Sequence, residues 1–415
     1  MKPVAIVSIE AEDRRFELEG GAGTDAVHKV AEYAFAVTRL RAGSGLSGTG
    51  VVLTLGNGNE IVCQLISALG EVLPKLPIED LMANFGTVSR KLADDASLRW
   101  LGPHKGAVHL ALASVTNACF DLWAKARGVP LWKLLLDLTP QEIVNLLDLS
   151  YLEEDVTADS TIQMIEGEQK NRAAREEILQ RGYPGYDTSV GWFQYDDEQL
   201  RENAKRALGT GFKALKLKVG SKDPSHDIRR ATLLRELAGP DARLMLDANQ
   251  QWTVPQAEQI CHAVRGLHPY WIEEPTHPDD IQGHVKLSRQ IAPMRLALGE
   301  HVPNRVLFRN FMSYSAVHFV QADCTRLAGV SEFITVSLLA RKYGIPVVPH
   351  VGDMGQIHQH LVLFNHVALG HEVVFLEYIP HLRKYFSNPA RVENGVYQTP
   401  QEPGLSCDLK PGVAE

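Results

Sequence analysis

The feature that most constrains this chain is a repeat in its second half: a short apolar run, a polar residue, a turn, then a helical stretch. The runs are KALKLKV, RLMLDAN, YWIEEP, RLALGE, AVHFVQAD, IPVVPHV and VVFLEY, and intervening stretches such as HDIRRATLLREL, PQAEQICHAVRGL and GVSEFITVSLLARKYG show helical periodicity. From about Tyr183 onward this alternation predicts parallel β/α units. So many units favour a closed barrel. An open doubly wound sheet is the alternative, although no GxGxxG follows a strand.

The first half has a different texture. Residues 3–9 and 50–54 have β-branched strand character, and Gly56-Asn57-Gly58-Asn59 is turn chemistry. Apolar residues then recur at helical spacing from Ile61 to Leu73 and from Val108 to Leu136, which predicts an α+β domain. The charge-rich segment of about 150–182 reads as a helical connection or surface insertion. The expected division is 1–140 for the α+β domain, 141–182 for the helical insertion, 183–380 for the barrel and 381–415 for a C-terminal segment.

A chain of 415 residues, 45% hydrophobic and 22% charged, buries more core than one ordinary domain needs. With 42 Lys plus Arg against 50 Asp plus Glu and a net charge of -8, it has no basic stripe, so no nucleic-acid partner is expected. The opening MKPVAIVSIEAEDRRFE lacks a signal-like apolar segment, and no later run approaches the ~18 apolar residues of a membrane span. The expectation is a soluble, unexported, cytoplasmic protein without a membrane partner. Five cysteines (Cys63, Cys119, Cys261, Cys324, Cys407), scattered without metal spacing, read as reduced, buried structural thiols.

Each strand-like run ends in a group capable of acid–base or metal chemistry. From Lys218 through Asp247, Glu273, Glu300, Asp323, His350 and Glu377 the steps are 29, 26, 27, 23, 27 and 27 residues. In a barrel such strand ends converge on one face and make one active site. Singly, each acid reads as well as a structural group, a strand-end salt bridge or a helix cap, as it does as a metal ligand. Asp247, Glu273 and Glu300 together would repel unless a cation neutralised them. A hard, oxygen-liganded ion is implied, Mg²⁺ above others, since no Cys or His at these positions argues for zinc.

Lys216 and Lys218 lie two apart on one strand and so share a face. Two ammonium groups there should depress each other's pKa and leave one able to act as a base. Their apolar flanks, Ala214, Leu215, Leu217 and Val219, speak against a merely solvated strand end. Asp323, ending the strand before His350, can accept from one imidazole nitrogen and leave the other free for proton transfer.

The motifs KLK, LDANQ, WIEEPT, GEH, QAD and PHVG, with their intervals, resemble the enolase superfamily and within it the mandelate racemase-like subgroup. That resemblance implies a (β/α)7β modified TIM barrel with an α+β capping domain, the C-terminal segment packing back on the cap. It also implies a Lys base, three metal acids and a His–Asp dyad. A narrower resemblance, nearly end to end, is to sugar-acid dehydratases acting on L-fuconate and L-galactonate. It is carried by Leu98–Pro103, Thr188–Trp192, Glu274-Pro275-Thr276, Pro278-Asp279-Asp280 and Gln359-His360-Leu361. It implies that Lys218 takes the C2 proton, that the metal with Lys216 stabilises the enediolate, and that His350 protonates the departing 3-hydroxyl. The product would be a 2-keto-3-deoxy acid, with L-fuconate the first substrate to try.

By the same resemblance the substrate would meet Glu377, which could bond its carboxylate only if protonated. It would also meet Asn249, Trp192 and His301 from the barrel, and Arg15 and Asp25 from the cap. A homo-oligomer is expected. Two stretches depart from the family pattern. After Arg15-Phe16 the chain reads Glu-Leu-Glu-Gly-Gly where the dehydratases carry Pro-Thr-Ser, and beyond His350 it reads Val-Gly-Asp-Met-Gly-Gln-Ile-His, so that His358 replaces an acid. A change of about 2–3 kcal/mol in pocket contacts switches substrates. Competing readings are another sugar-acid dehydratase, a racemase or epimerase of the same superfamily, and a non-catalytic binding protein that has kept the fold.

Overall fold

The computed structural model describes residues 3–29, 32–352 and 354–412. Strands β1 (Ile6–Glu17), β2 (Glu32–Ala42) and β3 (Ser47–Thr54) form an antiparallel meander. β1 runs further than expected, and β2 was absent from the sequence reading. β2 is the central strand, almost wholly buried, so it shows a continuous apolar run instead of strand alternation.

Against this sheet lie helices Asn59–Val72 and Gly106–Arg127. The periodic stretch expected to run on to Leu136 is two helices. Gly128 takes the left-handed conformation with φ 68 and caps the first, and Pro130 precedes the second, Leu131–Asp137. Residues 140–181 carry three helices, of which Ala158–Arg175 buries Thr161 and Ile165 and lies against helix Ile357–Leu369.

β4 (Tyr183–Gly191), β5 (Ala214–Lys218), β6 (Arg243–Asp247), β7 (Trp271–Glu273), β8 (Leu296–Leu298) and β9 (Phe319–Val320) pair in parallel, each with the next. Val347 bridges Val320 in parallel, and β10 (Leu376–Tyr378) pairs back in parallel with β4. The ring is therefore the (β/α)7β barrel, with a helix in each of the connections. A hairpin of β11 (Val392–Glu393) and β12 (Val396–Tyr397) adds antiparallel to β4.

Tyr186, Ala214, Met245, Trp271, Ala297, Phe319 and Val348 form one buried cluster. Thr188, Lys216, Asp247, Glu273, Gln321 and His350 follow six of these by two residues, and two residues along a strand is one step up the same face. The apolar plug thus seats a polar layer directly above it. Beyond β10 the chain returns to the first sheet, where the Tyr385 ring packs tilted on Phe16 at 4.5 Å and Phe386 meets Phe35 edge-to-face at 5.9 Å.

Candidate active site

Around the barrel mouth the carboxylates and lysines expected from the repeat meet within hydrogen-bond distance. Lys218 Nζ donates to Asp247 Oδ2 at 2.6 Å. Lys216 Nζ lies 2.7 Å from Glu273 Oε1, 2.7 Å from Glu377 Oε1 and 3.4 Å from Asp247 Oδ2. Their register accounts for this, because Lys218 pairs with Asp247 across β5 and β6, and Asp247 with Glu273 across β6 and β7.

The electrostatics correct one expectation. Burial is the largest influence on the Lys218 pKa and lowers it, and Lys216 lowers it too, but Asp247 together with Asp25 and Glu300 holds the ammonium above its ordinary range. Lys216 is likewise raised against its burial, by Glu273 and Glu377. Mutual depression of two lysines on one strand is real but smaller than the pull of carboxylates on the neighbouring strands, which a single strand's sequence does not show. Glu273 absorbs the imbalance: burial first, then Asp247, pushes it up to about 8.

On the other side of the mouth His350 Nδ1 bonds Asp323 Oδ2 at 2.8 Å, and its Nε2 lies 3.6 Å from Glu300 Oε1. Burial would keep this ring neutral, yet Glu300 and the Asp323 bond raise it to about 9, so His350 is an imidazolium at neutral pH.

Glu377 is a carboxylate here, not the protonated acid that a bond to a substrate carboxylate requires. Burial acts to raise it, but Lys216 leads the groups that hold it below its ordinary value, and its oxygens also accept from Thr188 Oγ1 at 2.6 Å and Val351 N at 2.9 Å.

Asn249, at φ 43, donates its backbone N–H to Asp247 Oδ1 at 3.1 Å, and its side-chain oxygen is buried without a partner. Trp192 is buried, with Lys218 Nζ 5.7 Å from its ring centre. His301 Nδ1 lies 3.0 Å from both Glu274 oxygens. Arg15 is not brought to the mouth: its guanidinium is held by Asp13, Glu32 and Glu60, all within the first domain.

The loop carrying Asp25 does reach the barrel. Thr24 O accepts from Phe193 N at 3.0 Å, Gln194 Nε2 donates to Lys29 O at 2.9 Å, and Lys29 Nζ sits 3.9 Å from the Phe193 ring centre. Asp25 itself accepts from the backbone of Val27 and His28, each at 2.7 Å, and bonds His28 Nδ1 at 2.8 Å. At Gly352, just past His350, an added Cβ would lie 1.9 Å from Leu53 Cδ2, so the side chain of Leu53 on β3 packs directly over this glycine. Asp353, in the altered stretch after His350, lies outside the described residues.

Tyr33 was missed by sequence reasoning. It is buried, burial pushes its phenol up, and the charged groups it senses are Lys218, Asp25, Glu300 and Glu377. It belongs to the strand that the sequence reading lacked, and no motif marks it. Glu274 was quoted only as a family motif, yet it holds His301.

The donors suit a hard divalent cation. Asp247, Glu273 and Glu300 offer only oxygens, and Glu300 Oε2 and Asn249 Oδ1 are buried with no hydrogen-bond partner. Among the described residues, the one group of three whose ligand atoms all lie within 4.8 Å of one another is Glu274, Glu300 and His301. In either set a cation would displace existing contacts, of Glu274 with His301 and Gln250 in one and of Asp247 and Glu273 with Lys218 and Lys216 in the other, so the donor chemistry decides between them. The all-oxygen set matches Mg²⁺ better.

Residues 199–413 match the family model described as "Enolase C-terminal domain-like". The chain is 38% identical over 420 residues to an L-galactonate dehydratase of Hypocrea jecorina, covering 99% of this chain and 93% of that one. The crystal structure of human mitochondrial enolase superfamily member 1 superposes with a TM-score of 0.95 at 37% identity, covering 98% of this chain and 95% of that one. The L-talarate/galactarate dehydratase of Salmonella typhimurium LT2, liganded with Mg and L-lyxarohydroxamate, shares the fold with a TM-score of 0.79 at 23% identity, covering 99% of this chain and 92% of that one. The chain belongs to the enolase superfamily, and its structural neighbours lie in the mandelate racemase subgroup.

Proposed function

We propose that this protein is a Mg²⁺-dependent sugar-acid dehydratase, a hydro-lyase that converts a sugar acid to a 2-keto-3-deoxy acid and water. The observation that carries the reading is geometric: a lysine on β5 and a histidine after Val347 reach the same acid-lined mouth from separated strands. The L-galactonate dehydratase among its relatives supports the reaction class.

Asp247, Glu273 and Glu300 would hold the ion, with Asn249 beside them. When bound, the ion supplies positive charge that stabilises the carboxylate as C2 loses its proton.

Lys218 takes the C2 proton, and it can do so only when Asp247 no longer holds its ammonium. The electron pair left at C2 forms the C2–C3 double bond as the C3–O bond breaks. His350, as imidazolium, gives the leaving hydroxyl its proton, so that water departs. Asp323 keeps the His350 ring turned for that transfer. The enol then ketonises. Lys216, fully buried, neutralises Glu377 and stays in place as a fixed positive charge. The loop of residues 20–29, which rests on Phe193 and Gln194, would limit the access of bulk water to the mouth.

L-fuconate is the first substrate to test. It is the 6-deoxy form of L-galactonate, so both present the same stereochemistry at C2 and C3. A panel of sugar acids with Mg²⁺, read as semicarbazide-reactive keto acid, should show turnover on one of these two. Exchange of the C2 proton without keto acid on any member would replace dehydration by racemisation.

A further inference from the structure

His358 stands in the first turn of helix Ile357–Leu369, only 2% exposed, on the far side of Asp323 from His350. Its Nε2 lies 2.9 Å from Asp323 Oδ1, while Asp323 Oδ2 takes His350 Nδ1 at 2.8 Å. The remaining donors to Oδ1 both come from Thr325, its N–H and Oγ1 each at 2.8 Å. Thr325 holds that oxygen from the turn that follows Asp323. His358 approaches on a separate element and adds a restraint on the carboxylate plane from the helix.

The tautomer follows from charge. The Cys324 N–H is aimed at His358 Nε2 at 3.0 Å and competes for that nitrogen, but a bond to an ionised carboxylate is about twice as strong as one between neutral groups, so the tautomer with the proton on Nε2, donated to Asp323 at the expense of the Cys324 contact, is favoured. Nδ1 is buried with no partner among the described residues, so both polar contacts of this ring fall on Nε2, to Asp323 and to the Cys324 N–H.

We propose that His358 is a positioning residue of the acid arm: it sets the plane of Asp323, through which His350 is aimed at the leaving hydroxyl. This rests on the dehydratase reading above. Elimination depends on that arm, whereas removal of the C2 proton belongs to Lys218, so a defect at His358 should separate the two halves of the reaction.

The test uses the Mg²⁺-loaded enzyme with its best sugar-acid substrate in D2O. Keto acid is followed with semicarbazide and C2 exchange by proton NMR. His358→Leu should lower kcat for elimination about 10–100-fold, with KM within about 3-fold and C2 exchange retained, since acid catalysis is the only term it touches. His358→Gln, whose side-chain N–H reaches about as far as Nε2, should recover elimination to within about 3-fold of wild type. His358→Asn, too short to reach, replaces the leucine variant if that does not fold and should match it.

Loss of exchange and elimination together, unchanged elimination, or a glutamine variant no better than leucine would each overturn the proposal. If the wild type exchanges C2–H but forms no keto acid, the dehydratase reading falls and this falls with it. An active wild type with unaffected His358 variants defeats the positioning role alone.

Discussion

Lys218 and Asp247 meet through one 2.6 Å contact between Nζ and Oδ2, at residues paired across neighbouring strands β5 and β6. The proposed base and a proposed metal acid are therefore one ion pair, and their substitutions should not act independently. Lys218→Ala and Asp247→Asn should each lower kcat/KM by about 10³-fold, and the double variant should fall within about 10-fold of the worse single one. A double-mutant cycle in which the losses multiply would show that the two serve separate steps.

The His350–Asp323 bond of 2.8 Å predicts a second effect. Asp323→Asn keeps the shape but offers an amide in place of an anion, so the ring loses its fixed tautomer and the part of its raised pKa that Asp323 adds to that of Glu300. Steady-state kinetics should show kcat lower by about 10²–10⁴-fold with little change in KM. A purely KM effect would assign Asp323 to binding.

The two candidate cap residues should separate cleanly. Asp25 belongs to the loop that rests on Phe193 and Gln194, whereas Arg15 is tied to Asp13, Glu32 and Glu60. Asp25→Ala should raise KM about 10-fold or more, and Arg15→Ala should leave it within about 2-fold, because a pocket contact carries about 1–3 kcal/mol and a partly exposed ion pair little. The reverse order would return Arg15 to the substrate site.

Acid should destabilise the fold through histidines outside the site. Burial lowers His109 and His360 to about 3, whereas the unfolded chain titrates them near 6.5. Below 6.5 the unfolded state binds the proton that the folded state refuses, so stability is complete above 6.5 and falls continuously toward pH 3. At pH 5 each costs about 2 kcal/mol, at about 1.36 kcal/mol per pH unit. Denaturant midpoints measured from pH 7 to pH 5 should fall, and His109→Phe should flatten the fall. An unchanged slope would mean that His109 is protonated in the native state.

Much of the barrel and its polar layer was legible because each β/α unit repeats at about the same length, so functional groups recur at strand ends. Lys218, Asp247, Glu273 and His350 could be found that way without a structure. The cap resisted the same reasoning. Tyr33 sits on a central strand that lacks alternation, and Thr24 meets Phe193 and Gln194 across a large sequence separation with no periodic signal. The sign of the lysine pKa shift was also hidden, since the carboxylates that decide it stand on other strands. His358 shows the same limit: the sequence marked it as a departure from the family, and only the fold puts it against Asp323.

The division of labour between Lys218 and His350 is tested most directly by C2 exchange and keto acid formation, measured together in D2O on the Mg²⁺-loaded Lys218→Ala and His350→Asn variants. His350→Asn should keep C2 exchange while losing keto acid formation by about 10²–10⁴-fold, and Lys218→Ala should lose both. Keto acid formed at the wild-type rate without His350, or C2 exchange surviving without Lys218, would contradict it.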